Sequence, residues 1–191
     1  RMIGNAKKSI VLSTFDLRPD DSGTKIIAAL YTAAERGVQV QILIDGIYQK
    51  LFLEKSPVFQ ALAAHQNIEV GIYNPVTNLM RLNYRMHDKY LIIDEAMYLL
   101  GGRNTNDIFL GDKKTRINVD RDIFVYEETQ GKGESLQALE KYFDTIWNEA
   151  QVRKKKKTYA ASYEEKYKSE YHQLKERYRS LKAKYPDIEN Y

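Results

Sequence analysis

The sequence predicts an α/β fold, a mixed β-sheet flanked by helices and followed by a C-terminal amphipathic helix. Three observations carry that expectation. Short apolar, β-branched runs alternate with helical periodicity between residues 9 and 75. Two strand-like runs then follow within residues 86–100, and from residue 167 to 185 aromatic and leucine side chains recur every three or four positions. Alternating strands and helices build parallel crossovers. Two strands joined by a few residues must instead run antiparallel, so the sheet is mixed.

In chain order, Ser9–Phe15 is a short apolar strand, and Asp20-Asp21-Ser22-Gly23 punctuates it, with Ser22 read as a helix N-cap. Ile26, Ile27, Leu30, Ala33 and Ala34 lie at helical spacing, and Gly37 supplies the stop. Val38–Asp45 alternates and then becomes fully apolar, as a buried strand does. A second helix starts at Ser56-Pro57 and turns Val58, Phe59, Leu62 and Ala63 inward; Ile68–Tyr73 is the next strand, closed by Asn74-Pro75. Met86–Ile93 and Met97–Leu100, split by Asp94-Glu95-Ala96, read as a hairpin. Asp122–Tyr126 is a further strand, and Leu136, Leu139, Tyr142, Phe143, Ile146 and Trp147 share one face of a long helix.

Composition shifts beyond Trp147. Residues 151–191 hold twelve Lys/Arg against six Asp/Glu, leaving residues 1–150 with eighteen against twenty of the chain's 30 and 26. The basic character therefore belongs to the tail. We divide the chain into an α/β domain at 1–150 and a basic, Tyr-rich helical extension or linker at 151–191. Tyr167, Tyr171, Leu174, Tyr178, Leu181 and Tyr185 form a heptad-like seam ended by Pro186. An isolated helix of this length is marginal, so the seam is expected to pair with a neighbouring chain. The run Lys154–Lys157 reads first as solvated charge and second as a contact for anionic membranes. The opening residues read as a helix end running into a strand, the pattern of a chain that continues upstream. No apolar run approaches a membrane span. No cysteine is present, which suits a compartment where disulfides play no part.

The chemistry concentrates at His87, from which the chain reads H-x-K-x4-D, six residues, then G-G-x-N, ending at Asn104. Residues i and i+2 of a strand share a face, so His87 and Lys89 point together, with Leu91 next along. An imidazole beside an ammonium can attack a phosphodiester: the cation neutralises non-bridging oxygens while the ring nitrogen bonds phosphorus, giving a phosphohistidine. Gly101 and Gly102 allow close backbone approach, and the Asn104 amide can donate to a phosphate oxygen. Asp94 has the opposite parity and falls at the hairpin turn, which makes it structural. Five fixed positions recur by chance on the order of once in three million starts.

These residues resemble the signature of the phospholipase D superfamily, over about Arg1 to Trp147. Asn5–Ile10, Ala33–Val38, Arg121-Asp122 and Phe143…Trp147 are similar to the N-terminal half of bacterial cardiolipin synthase-like members. The resemblance implies a phospholipase D-like fold and a membrane-associated bacterial enzyme, on a membrane face left open. It implies an anionic phospholipid substrate, phosphatidyl transfer to an alcohol or water, and two facing motifs, the second in the same longer chain or in a second copy. It also implies that Asp122 orients the imidazole, with Asp120 as fallback. Gly102 stands where many members carry serine, which removes a hydroxyl from the phosphate pocket and bears on substrate more than on activity.

Blander readings stand beside these. A lone histidine is usually a satisfied core residue, a lone lysine a solvated one, a Gly-Gly pair a bulge, and an edge-strand aspartate a surface charge; the motif as a whole shifts His87 and Lys89 to chemistry. His65 and His172 lack ligand spacing, so neither metal nor cofactor is expected. Two other functions remain open: a dimeric nuclease using the same chemistry, disfavoured by the slightly acidic residues 1–150, and a non-catalytic membrane- or partner-binding module acting through the tail.

Overall fold

The computed structural model describes residues 1–77, 81–111, 118–128, 132–154 and 165–189. Lys155–Lys157, Tyr159, Tyr163 and Tyr191, on which part of the tail reading rests, lie outside them. Seven strands form one mixed sheet whose members, in spatial order, are Asp122–Tyr126, Met97–Gly101, Tyr90–Ile93, Ser9–Thr14, Gln39–Asp45, Ile68–Tyr73 and Val152–Lys154, or β6-β5-β4-β1-β2-β3-β7 in chain numbering. Its centre is parallel: β1 (Ser9–Thr14), β2 (Gln39–Asp45) and β3 (Ile68–Tyr73) are joined by α2 (Asp21–Glu35) and α4 (Pro57–Ala64). The hairpin β4 (Tyr90–Ile93) and β5 (Met97–Gly101) runs antiparallel on the other side of β1, and β6 (Asp122–Tyr126) closes that edge. This is the α/β mixed sheet the sequence predicts.

Both crossover helices lie on one face. There α1 (Met2–Asn5), α2 and α4 cover Ile10, Leu12, Val40, Ile42, Ile44 and Ile93. The other face packs Val11, Leu43, Tyr90, Ile92 and Tyr98 against Leu136, Phe143 and Trp147 of α6 (Glu134–Trp147). The indole lies directly on β3, where a Cβ at Gly71 would stand 2.5 Å from the Trp147 ring; glycine there is what lets helix and strand come together.

Local details differ from the sequence expectation. The cap of α2 is Asp20, whose carboxylate accepts from Gly23 N at 2.9 Å, and Ser22 is already inside the helix. Asp20 is in competition with Ser22 for the role, and its reach of three residues to a free N–H decides it. Only Tyr90–Ile93 of the Met86–Ile93 run is paired. Helical turns at α3 (Gly46–Tyr48), the π-helical Gln49–Leu53 and α5 (Asp107–Leu110) are additional.

The tail is a correction. Val152–Lys154 forms β7, pairing antiparallel with β3, so the sheet extends past residue 150. The C-terminal helix α7 (Lys168–Lys184) then lies along α2 and α4 of its own chain. Leu174 and Tyr178 are buried in the core, Tyr171 and Leu181 pack against it, and Tyr171 stacks on Tyr31 with ring centroids 5.1 Å apart. Lys175 pairs with Glu35 at 2.8 Å and Arg177 with Asp21. The seam is thus met intramolecularly, contrary to the expectation of a neighbouring chain. The apolar stripe was legible; its partner, the outer face of α2, was not, because α2 carries apolar residues on more than one side.

Candidate active site

The candidate site sits where the parallel strands end. The segment carrying His87 and Lys89 precedes β4, which begins at Tyr90, and is held largely by contacts outside the sheet ladder. Asn74, at positive φ after β3, donates to the carbonyls of Arg81 and Tyr84 at 2.7 and 2.8 Å. Arg85 reaches back to Asp45 at the end of β2, donating Nε at 2.9 Å and a second nitrogen to the other oxygen. Asp45 is 1% exposed and also caps α3 through Ile47 N. Phe15, just past β1, is the hub of this arrangement. The His87 ring stands edge-on to it at 4.4 Å, with the Lys89 Nζ 5.2 Å and the Arg85 guanidinium 5.1 Å from its centroid. Alternate residues 85, 87 and 89 therefore converge on one ring, as strand parity requires. Asp88, of opposite parity, is held by Tyr142 of α6 at 2.8 Å.

His87 is exposed, and its imidazole makes no hydrogen bond among the described residues. Lys89 is buried to 8% exposure and donates to the His87 carbonyl at 2.6 Å. Burial holds the Lys89 ammonium below the usual lysine range, opposed by the negative charges of Asp88, Asp120 and Asp16. Its charge, and with it anion affinity, is then lost at a lower pH than that of a free lysine. Titrating inorganic phosphate binding against pH should show an alkaline limb with a midpoint below 10.5, absent in Lys89→Ala; a limb at or above that value would contradict the burial argument.

Asn104 is equally buried, and its side-chain oxygen accepts from Asp16 N at 3.2 Å. That contact turns the amide NH2 the other way, and among the described residues it donates to nothing. Asp16 is clamped by Arg18, whose Nε lies 3.0 Å from each carboxylate oxygen, and Arg18 in turn lies over Phe52 at 4.5 Å. The loop after the Gly-Gly turn is stitched to the end of β1 through Thr105 N to Asp16 O and Arg18 N to Thr105 O. Lys89, Gly101, Asn104, Thr105 and Asp122 line one small cavity of about 110 Å³.

The two glycines each support a carboxylate. A Cβ at Gly101 would meet the Asp122 side chain at 2.0 Å, and one at Gly102 would meet the Asp120 side chain at 2.0 Å. Gly101 lies between Lys89 and Asp122 in the sheet, its N–H donating to the Lys89 carbonyl. Asp122 is brought into the same cavity as Lys89, but its carboxylate pairs with Arg103 at 3.2 Å, and no hydrogen bond links it to His87. Asp120 likewise faces the turn and not the imidazole, its carbonyl accepting from Arg103 and its carboxylate from Arg121 N. Asp94 lies at the β4–β5 turn with φ 55°, where its carboxylate accepts from the backbone nitrogens of Lys7, Lys8 and Ser9 at 2.7–2.9 Å. It therefore welds the hairpin to the start of β1. Sequence reasoning missed Phe15, Asp16, Asp45 and Arg85; the only signal for the last was its parity with His87 and Lys89. Among the described residues no group of three or more acidic or histidine side chains gathers as a metal site.

The arrangement is an exposed imidazole and a buried ammonium on the Phe15 ring, with the ammonium and the Asn104 amide lining one cavity at the end of a mixed sheet. Residues 1–147 match the model of the cardiolipin synthase, PLD-like domain, and the chain belongs to that family. The cardiolipin synthase of Clostridium perfringens (strain SM101 / Type A) is 34% identical over 148 residues, which cover 78% of this chain and 30% of that protein. The chain thus spans under a third of the length of that curated relative. Among solved structures, the phospholipase D family member Nuc from Salmonella typhimurium superposes with a TM-score of 0.56 at 21% identity, covering 81% of this chain and 86% of that one. Phosphatidylserine synthase from Haemophilus influenzae superposes with a TM-score of 0.64 at 18% identity, covering 94% of this chain and 40% of that one. The fold is shared with both.

Proposed function

We propose that this chain is one half of the two-motif active site of a membrane-associated bacterial enzyme that cleaves the phosphodiester of an anionic phospholipid and transfers the phosphatidyl group to an alcohol or to water. The observation that carries the reading is the placement of exposed His87 and buried Lys89 on one Phe15 ring, with Lys89 and Asn104 lining one cavity, within a cardiolipin synthase family domain. A ring nitrogen of His87 attacks phosphorus, the bond to the leaving alcohol breaks, and that oxygen takes a proton from a second histidine. The acceptor then attacks the phosphohistidine, gives its proton back to the second histidine, and the P–N bond breaks. Lys89 and Asn104 hold the non-bridging oxygens throughout. Asp122 or Asp120 orients the imidazole once substrate displaces their present contacts, and Gly102 leaves Asp120 room to do so.

The second histidine comes from another motif of the same longer chain or from a second copy. Two comparisons support both routes: this chain matches nearly all of one solved relative and 40% of another. The open β6 edge supports them as well, since Ile123, Phe124 and Tyr126 are exposed beside Asp122. Among the described residues no helix is long and apolar enough to cross a membrane, so membrane association would be peripheral in this part. The test is to mix the protein with phosphatidylglycerol labelled at phosphorus, quench, and digest. A base-stable, acid-labile label on the peptide containing His87 is expected; label elsewhere, or none in a preparation that turns substrate over, would reject the mechanism.

A further inference from the structure

A second, larger cavity of about 470 Å³ adjoins the one that holds Lys89 and Asn104. The two share Ile3, Ile26, Leu91 and Leu110, so they lie side by side as the two chambers of a trough along the sheet face covered by α2. Leu91 is the next residue on the Lys89 face of its strand and forms the floor. Ala29 of α2 and Leu181 of α7 line the walls further out, and among the described residues no Asp or Glu lines the larger cavity. Among the described residues, the charged ones that line it are Arg1 and Lys25, paired with Asp187 at 3.8 Å and Asp21 at 2.6 Å. The trough therefore has one end bearing the Lys89 ammonium and the Asn104 amide, and a mainly apolar stem. That sequence of environments suits an amphiphile with a phosphate at one end and a hydrocarbon chain behind it, and the volume is in the range of sites that enclose small ligands.

We infer that this trough binds one acyl chain of the phospholipid whose phosphate sits at Lys89 and Asn104. The inference rests on the phosphodiester reading above and adds to it the place of the hydrocarbon. It gives the tail helix a function, because α7 supplies one wall: Tyr178 and Leu181 face the cavity while Leu174 fixes the helix on α2. Chain length would then be sensed between α2 and α7, about as far from the chemistry as the trough extends.

The test compares 1-palmitoyl-lysophosphatidylglycerol, kept below its micelle concentration, with glycerophosphoglycerol, which has the same phosphodiester and no chain. The acylated ligand should bind the wild-type chain at least thirtyfold tighter. Ala29→Trp, which fills the stem, should bring the acylated ligand down to the affinity of the deacylated one and leave the latter unchanged. Because Ala29 is nearly buried, a second measurement uses the wild type alone. A lysophosphatidylglycerol with a diazirine at the end of its chain should crosslink to the peptides that line the larger cavity, those of residues 1–4, of α2 and of 178–188. Equal affinity for the two ligands, or crosslinks outside those peptides, overturns the trough while leaving the phosphodiester reading standing. Binding of the deacylated ligand that is unaffected by Lys89→Ala overturns both.

Discussion

Replacing His87 with alanine should remove turnover by more than about ten-thousandfold, roughly 5.5 kcal/mol of barrier, while leaving the unfolding curve unchanged. The stability half of that expectation follows from the surroundings. The side chain is exposed, makes no hydrogen bond among the described residues, and touches Phe15 only edge-on. The activity half follows from the nucleophile role proposed for it, in which neither Lys89 nor Asn104 can substitute: an ammonium is protonated and an amide is not nucleophilic. Steady-state release of head group from phospholipid, measured in the preparation that turns over, is the check. Residual activity within tenfold of the parent, less than about 1.4 kcal/mol, would exclude the assignment.

Arg85→Met should cost on the order of 3 kcal/mol of stability, because it strands the Asp45 carboxylate in a buried position without its ion-pair partner. The methylene stem is retained, so the loss is of charge and hydrogen bonds more than of packing. The double variant Arg85→Met with Asp45→Asn should recover a good part of this, since asparagine still caps α3 and carries no unpaired charge. Urea unfolding of the three proteins checks it. A single-variant cost under about 0.5 kcal/mol, in the range of an exposed ion pair, would mean that Arg85 does not clamp the segment. Turnover should fall in both variants, because Arg85 and His87 share that segment and the ring of Phe15.

How much of this could be read beforehand depended on range. The strands and α6 announce themselves by periodicity, and the His87–Lys89 pair by spacing, since both are local properties of the chain. Asp94 was readable as a turn residue from parity alone. What it does there, fastening the nitrogens of Lys7, Lys8 and Ser9, was not, because those residues are more than eighty positions away. Asp45 and Arg85 were hidden for the same reason: each is an unremarkable charged residue until two strand ends are brought together. The Asp122 carboxylate was placed in the right neighbourhood, yet its pairing with Arg103 depends on where a flexible side chain settles, which spacing does not encode. The strand at Val152–Lys154 was masked by its own lysine and by the basic run that begins there.

The position of α7 has a consequence for how the polypeptide is made. The ion pair between Arg177 and Asp21 closes a loop of 156 residues, and Leu174 and Tyr178 complete a core begun by Ile27 and Leu30. During vectorial synthesis the outer side of α2 stays bare until the ribosome has released residues beyond 181. The nascent chain then passes through a state with its sheet largely assembled and an oily flank open, a species prone to self-association. A gene cut at residue 147, where the family match ends, would freeze the protein in that state. The evolutionary boundary and the folding boundary are different places on this chain.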